Sequence, residues 1–161
     1  MRGARPLEPG RRRLTGPSAE PRRREAAASS SAPASPASPF LVESVGDAAA
    51  GRARDVSATV LRALRKGEPA PGARLDLHGR KRDEALRAVE SFLSRARGEG
   101  HRAVLVIHGR GQNSEDGAPV LRPALAAWLA GAAAARVGVM AFAPAPPRSG
   151  GTGATLILLR R

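Results

Sequence analysis

The segment Leu75-Asp76-Leu77-His78-Gly79 decides how the rest of the chain is interpreted. In a β-strand, alternate side chains point to opposite faces, so Leu75 and Leu77 should face a core. Asp76 and His78 then share the other face, where a carboxylate can orient an imidazole and favour its protonated form. The segment predicts a strand that carries an acid–base pair. The alternative is that both side chains belong to the solvated face of an edge strand.

The residues that follow alternate between helical and strand patterns. Apolar side chains recur at helical spacing over 83–97, and a continuous apolar run occupies 103–107. A strand, a helix and a second strand of this kind form a right-handed crossover, which makes the two strands parallel. His78 and His108 follow these two strands and are therefore expected at the same edge of the sheet.

A third helix and two further strands complete the predicted domain. Apolar residues at helical spacing start near Leu121, and the segments 137–143 and 154–159 have the character of strands. Their connection is too short for a helical crossover, so the last strand should run antiparallel to the one before it. We predict an α/β fold, a β-α-β-α-β-β two-layer sandwich with a four-stranded mixed sheet.

Three loops should meet where open α/β sheets bind ligands, beyond the carboxyl ends of the parallel strands. They carry His78, then His108 with Gly109, Arg110 and Gly111, then Arg148 with Gly150 and Gly151. Arginine side chains and loop amides are suited to binding phosphate. This convergence favours a phosphate-binding site over a surface that happens to be polar.

The composition narrows the class of partner. The chain of 161 residues has 27 Lys and Arg against 14 Asp and Glu, a net charge of +13, which predicts a polyanionic partner. The arginine-rich composition of a GC-rich genome is the alternative explanation. There is no Cys, which excludes disulfides and thiolate metal sites and is compatible with the cytoplasm. No apolar run reaches the roughly 18 residues of a membrane span, so no membrane partner is expected.

The chain divides into three predicted parts. Residues 1–39 form a disordered basic tail rich in Pro, Ser, Ala and Arg, for which a transit peptide or a misassigned start codon are alternatives. Residues 40–72 hold a short amphipathic helix at 56–66 and a Pro-rich linker. Residues 73–161 form the folded domain. The amphipathic helix either folds back on this domain or docks on a partner such as the ribosome.

Removing the tail 1–39 is expected to leave a soluble, active domain with weaker non-specific affinity for nucleic acid. Every phosphate that the protein no longer binds reduces the slope of log K against log salt by roughly 0.7 to 0.9. Binding titrations at several salt concentrations measure this slope. An unchanged slope would mean that the arginine runs of the tail do not touch nucleic acid.

Together the motifs resemble the Smr (small MutS-related) domain, over about residues 73–161. The matching motifs are Leu-Asp-Leu-His-Gly at 75–79, His-Gly-Arg-Gly at 108–111, Leu-Arg at 121–122 and Gly-Gly-x-Gly-Ala-Thr at 150–155. The arrangement is most similar to the stand-alone bacterial Smr proteins. The resemblance implies a fold like the C-terminal domain of bacterial translation initiation factor three. It also implies a nucleic-acid endonuclease acting on RNA or DNA, with one bacterial subgroup cleaving messenger RNA at collided ribosomes.

The resemblance also implies roles for particular residues. Asp76 and His78 match the catalytic motif, and His108 is the candidate second catalytic imidazole, with a structural role as its alternative. The implied substrate-binding residues are Gly79, Arg80, Gly109, Arg110, Gly111, Arg122, Arg148, Gly150 and Gly151. Arg80 and Lys81 depart from the family, which usually has an apolar residue and a helix-capping Ser or Thr there. A weaker helix start and a more basic site should result.

The chemistry expected at this site is phosphodiester cleavage. His78 would act as general base or acid, Asp76 would orient it, and Arg110 and Arg148 would hold the phosphate. On RNA the 2′-hydroxyl is a built-in nucleophile, so two imidazoles would suffice and no cofactor is assigned. DNA nicking with a divalent metal bound through Asp76 is the alternative. A nucleic-acid-binding module without turnover is the third hypothesis.

Overall fold

The computed structural model describes residues 38–110 and 120–161. The strands are β1 Phe40–Val45, β2 Ala48–Ala53, β3 Ala73–Asp76, β4 Ala103–Ile107, β5 Val139–Pro144 and β6 Ala154–Leu159. The α-helices are α1 Ala58–Arg65, α2 Arg82–Gly98, α3 Leu121–Leu129 and α4 Ala132–Val137. Two short 3-10 turns, Pro147–Ser149 and Gly151–Gly153, connect β5 to β6. The predicted tail 1–39 lies outside the described residues, except for its last two.

All six strands belong to one mixed sheet in the order β1-β2-β5-β6-β4-β3. β3 and β4 are parallel, and β5 and β6 are antiparallel, which confirms both pairings expected from the sequence. β4 and β5 each pair antiparallel with β6 and therefore point the same way. The carboxyl ends of β3, β4 and β5 thus lie along the same border of the sheet. We call this border, which is formed by strand ends and not by an outermost strand, the site edge.

The α/β class is confirmed, but the prediction of four strands is wrong because β1 and β2 add a hairpin beyond β5. Phe40 of β1 packs edge-on against Phe142 of β5, with ring centroids 6.2 Å apart. Gly51 of β2 makes room for the same ring, since a Cβ there would lie 2.6 Å from Phe142 Cε1. The hairpin is therefore fitted to the side chain of its neighbour in the sheet.

Helices cover both faces of the sheet, so the predicted two-layer arrangement is also corrected. On one face of the sheet, α2 contributes Val89 and Leu93 to the core, α3 contributes Leu129 and α4 contributes Ala134. On the other face α1 buries Leu61 and Leu64 in a second, smaller cluster. The amphipathic helix predicted at 56–66 is confirmed in type, and it folds back on the domain.

The start of the folded region also differs from the prediction. Residues 40–72 were expected to hold only a helix and a linker before a domain that begins close to Ala73. Instead β2 pairs with β5, and Phe40, Leu61 and Leu64 are buried. The folded unit of this chain therefore extends to Ser38, whose hydroxyl donates to the Ala130 carbonyl at 3.1 Å. In the described parts of the chain, no helix is long and apolar enough to cross a membrane.

Candidate active site

The first loop of the site edge begins where β3 ends, at Asp76. Leu77 follows and is 1% exposed, so it anchors the loop in the core while Asp76 and His78 on either side stay exposed. A turn follows, closed by a hydrogen bond from the Arg80 N–H to the Leu77 carbonyl at 3.0 Å. Gly79 holds its third position with φ +79°, a conformation that glycine adopts without strain. His78 thus lies just beyond the strand in which it was predicted.

The Asp76 carboxylate positions His78 through the backbone. Asp76 Oδ1 accepts the backbone N–H of His78 at 2.9 Å, while it lies 4.0 Å from the ring Nδ1. The second distance is too long for a hydrogen bond, so the carboxylate fixes the turn and leaves the ring free to rotate. The His78 side chain is 71% exposed and that of Asp76 is 62% exposed. An imidazole held in this way is accessible to a substrate as large as nucleic acid.

His108 occupies a different environment at the end of β4. It is 5% exposed, with Nδ1 2.9 Å from the Gly109 carbonyl and Nε2 3.0 Å from Thr155 Oγ1. A carbonyl only accepts, so Nδ1 carries the proton, and Nε2 accepts the hydroxyl proton of Thr155. Both ring nitrogens are occupied by protein partners. This geometry favours the structural role that was the alternative for His108.

The remaining two loops pack against each other at the site edge. The Gly153 carbonyl accepts the backbone N–H groups of His108 and Gly109 at 3.1 and 3.0 Å. Arg110 lies over this glycine turn, since a Cβ at Gly153 would be 3.4 Å from Arg110 Cγ and one at Gly151 would be 4.0 Å from Arg110 Nη2. The glycines leave room for the exposed Arg110 side chain, and its role in binding phosphate stays a prediction. Gly111 lies outside the described residues.

Arg122 and Arg148 flank this loop pair on different sides. Arg122, in the first turn of α3, lines a small cavity together with His108 and Thr155, and its Nε is buried without a hydrogen-bond partner among the described residues. Arg148 donates from Nη2 to the Lys66 carbonyl just after α1, at 2.9 Å. Its guanidinium therefore binds the end of α1 in this structure. Its predicted role in binding substrate stays a prediction.

The sequence profile of the Smr domain matches residues 75–160. The chain belongs to the Smr family. It is 37% identical over 105 residues to ribosome rescue factor SmrB of Aliivibrio fischeri, across 65% of this chain and 54% of that protein. It is 35% identical over 102 residues to the probable DNA endonuclease SmrA of Escherichia coli, across 63% of this chain and 52% of that protein. The match therefore spans about half the length of these curated relatives.

A solved structure of the same family supports the wider domain boundary. The crystal structure of YdaL, a stand-alone small MutS-related protein from Escherichia coli, is similar with a TM-score of 0.56 and 33% identity. The likeness covers 70% of this chain and 82% of YdaL, which confirms the resemblance to stand-alone Smr proteins. Residues 75–160 make up less than 70% of the chain, and only one residue follows them. The likeness therefore extends into residues that precede the profile match.

One feature of this Smr domain was missed in its sequence, and two others were predicted. Thr155 stands in the Gly-Gly-x-Gly-Ala-Thr motif, but its role as the partner of His108 was missed, and its place in the motif was the available signal. The first residue before α2, Lys81, makes no side-chain capping hydrogen bond, as the departure from the family predicted. Arg80 beside it is exposed at the site edge, as a more basic site requires.

Metal ligands are sparse around the Smr motifs. Across residues 38–110 and 120–161, no three His, Asp or Glu side chains gather closely enough to hold a metal ion together. Asp76 and His78 form only a pair. A divalent metal bound at Asp76 would therefore draw its other ligands from water and from the substrate phosphate, as Mg²⁺ commonly does.

The stability of this Smr domain should depend on pH through His108. Burial lowers the pKa of His108 below its usual 6.5, the Gly109 hydrogen bond opposes this, and the nearby Arg122 charge adds to it. Below about pH 6.5 the unfolded chain binds a proton that the folded chain does not. The free energy of unfolding should therefore be highest above pH 6.5 and fall with decreasing pH, by at most about 1.4 kcal/mol per pH unit for this one proton.

Urea titrations between pH 8 and pH 5 on the wild type and on His108→Gln measure this effect. The Gln variant cannot titrate at this position, so its stability should change less with pH. His101→Gln is the matched control, because His101 lies 3.3 Å from Glu99 at the opposite end of β4. If the wild type and His108→Gln lose stability in parallel, His108 is not the group responsible.

Proposed function

We propose that this Smr domain is a phosphodiester endonuclease that cleaves RNA, with His78 as its proton-transfer group. The observation that supports this most strongly is the exposed His78, held beside Asp76 at an edge that it shares with Arg110 and the glycine turn. The names of two relatives, a ribosome rescue factor and a probable DNA endonuclease, agree with a nucleic-acid substrate. The first of these names also supports a cytoplasmic protein that acts at the ribosome.

The proposed mechanism uses the 2′-hydroxyl of RNA as the nucleophile. His78 removes its proton, the 2′-oxygen bonds to phosphorus, and the bond from phosphorus to the 5′-oxygen breaks while that oxygen takes a proton from solvent. The products are a 2′,3′-cyclic phosphate and a 5′-hydroxyl. Because His108 is occupied by Gly109 and Thr155, a single imidazole carries the proton transfer. Asp76 keeps the turn in place so that the His78 ring stays within reach of the substrate.

In this proposal, the basic groups around His78 bind the phosphate. Arg110 rests on the glycine turn and Arg80 is exposed beside the His78 turn, and both can donate paired hydrogen bonds to phosphate oxygens. Charge that develops on these oxygens in the transition state would be stabilised by the same groups. Arg122, which lines a small cavity together with His108, would add its positive charge to the phosphate-binding site. Gly79, Gly109, Gly150 and Gly151 let the backbone approach the substrate closely, because no side chain intervenes.

The deciding experiment incubates purified protein with end-labelled single-stranded RNA, duplex DNA and isolated ribosomes, each with and without a chelator. Cleavage of RNA that persists in chelator and leaves a 2′,3′-cyclic phosphate is the expected result. RNA cleavage that leaves a 3′-hydroxyl and a 5′-phosphate would contradict the 2′-hydroxyl mechanism. Binding without any cleavage would favour the non-catalytic module.

DNA nicking is the second candidate function. It is favoured by the relative named as a probable DNA endonuclease and by the exposed carboxylate of Asp76, which is open to a divalent metal. DNA has no 2′-hydroxyl, so water would be the nucleophile and the metal would activate it. Nicking of duplex DNA that stops in chelator, with no cleavage of RNA, is the outcome that this candidate predicts.

A further inference from the structure

A basic groove lies far from the site edge. It has a volume of about 590 Å³ and runs between α2 and α4, and we call it the α2–α4 groove. Its polar lining consists of Glu90, Ser94, Arg97, Arg136 and Arg161. These side chains have no role in the proposed mechanism, and none of them belongs to the Smr motifs named above.

The position of the groove follows from the direction of the elements around it. α2 starts at Arg82, just after the His78 turn, and its 17 residues end at Gly98 beside the groove. A helix of that length spans about 25 Å. Arg161 follows β6, which runs antiparallel to β4, so it lies at the opposite edge of the sheet from His108. A ligand that contacts His78 and the groove together must therefore be long.

The arginines of the groove are not neutralised by ion pairs. Among residues 38–110 and 120–161, no carboxylate oxygen lies within 4.0 Å of the guanidinium groups of Arg97, Arg136 and Arg161. Arg160, by contrast, pairs with Asp55 at 2.7 Å. The side chains of three arginines and one glutamate give the groove an excess of two positive charges. An anionic partner would complement it.

The three arginines differ in how firmly they are held. Arg97 crosses Gly138, where a Cβ would lie 3.0 Å from Arg97 Cδ, and its Nη1 donates to the Val137 carbonyl at 3.3 Å. It therefore helps to hold the end of α4 against α2. Arg136 and Arg161 are exposed, and neither side chain donates a hydrogen bond to another of the described residues. These two are the groups most available to a ligand.

We infer that the α2–α4 groove is a second contact for the phosphate backbone of nucleic acid, outside the segment bound at the site edge. The inference rests on the proposed function. Guanidinium groups match phosphate oxygens in pairs, and the apolar lining is limited to small or branched side chains such as Ala133 and Val137. Protein partners usually anchor on aromatic side chains, which are absent from the described lining of this groove.

The distance between the site edge and the groove determines which substrates use both. At a rise of about 3.4 Å per nucleotide in a stacked strand, about seven nucleotides are needed to cover the roughly 25 Å along α2. A shorter RNA reaches only one of the two surfaces at a time. The groove therefore gives this domain a preference for long nucleic acid without reading its sequence.

The test compares Arg136→Gln/Arg161→Gln with the wild type in the full chain, with His78→Ala added to both so that the probe is not consumed. The probes are fluorescent oligoadenylates, whose bases stack in a single strand, of about 30 and about five nucleotides, titrated at several salt concentrations. With the long probe, the slope of log K against log salt should decrease by about 1.4, because the variant binds two fewer phosphates at about 0.7 each. With the short probe the slope should be unchanged. The matched control is Arg54→Gln/Arg62→Gln, which removes the same charge elsewhere.

Three results would overturn the inference. The first is that, with the long probe, the groove variant and the control variant have the same slope of log K against log salt. The second is that the slope of the groove variant decreases equally with the long and the short probe. The third is an unchanged RNA slope together with abolished binding of polyglutamate, which would make the groove a surface for acidic proteins. Because binding is measured in a His78→Ala background, a failure of the nuclease proposal would appear separately, as wild-type protein that binds RNA and does not cleave it.

Discussion

Replacing His78 with alanine should lower the rate of RNA cleavage by about 10²- to 10⁴-fold, the usual contribution of a general acid or base. The melting temperature should hardly change, because a side chain that is 71% exposed contributes little packing. Single-turnover cleavage and thermal denaturation on the same preparation measure both quantities. His101→Ala is the matched control, since His101 lies at the opposite edge and should retain full activity.

Asp76→Asn separates the two roles open to the carboxylate. The amide oxygen of Asn can still accept the backbone N–H of His78, so Asp76→Asn should cleave RNA faster than His78→Ala if the carboxylate only holds the turn in place. If Asp76 binds a metal instead, Asp76→Asn and chelation should reduce cleavage to a similar extent. Equal activity of His78→Ala and the wild type would remove His78 from the mechanism altogether.

The sequence was informative where patterns are strong and local. The apolar runs at β4 and β6, and the helical spacing of α2, predicted these elements and their relative directions, because each alternates cleanly with polar or glycine-rich segments. The Leu-Asp-Leu-His-Gly segment likewise placed Asp76 and His78 correctly on either side of a buried leucine. These are properties of neighbouring residues, and sequence displays them directly.

The hairpin was missed because β2 lacks a strand signal of its own. β2 reads Ala-Ala-Ala-Gly-Arg-Ala, without the branched or aromatic side chains that favour strands, and alanine on its own favours helices. It is a strand because Gly51 fits against Phe142, a residue that lies far along the chain. Tertiary packing decided its conformation.

The contacts that His108 and Arg148 make were not predicted, for the same reason. Each was placed at the correct edge, but its role depends on a partner distant in sequence, Thr155 for His108 and the Lys66 carbonyl for Arg148. The direction of a side chain at the end of a strand is set by such contacts. Sequence spacing does not determine them.

Deleting residues 38–67, which hold β1, β2 and α1, is expected to destroy the cooperative fold of the domain. The deletion removes Leu61 and Leu64 from the second face of the sheet and uncovers Leu105, Leu156 and Leu158. Burial of one Leu or Phe side chain contributes about 1.5 to 3 kcal/mol, and whole domains are stable by only about 5 to 15 kcal/mol. Losing the burial of Phe40, Leu61 and Leu64 therefore removes most of the free energy of unfolding of the domain.

Circular dichroism melts and amide NMR spectra of the truncated protein measure the outcome, with deletion of residues 1–37 as the control that should keep its melting temperature. Leu64→Ala in the full chain is the milder variant and should cost about 2 to 5 kcal/mol, because Leu64 is fully buried. Arg62→Ala, exposed on the same helix, should cost little. A truncated domain that still melts cooperatively at the wild-type temperature would contradict this expectation and would leave α1 free to dock on a partner such as the ribosome.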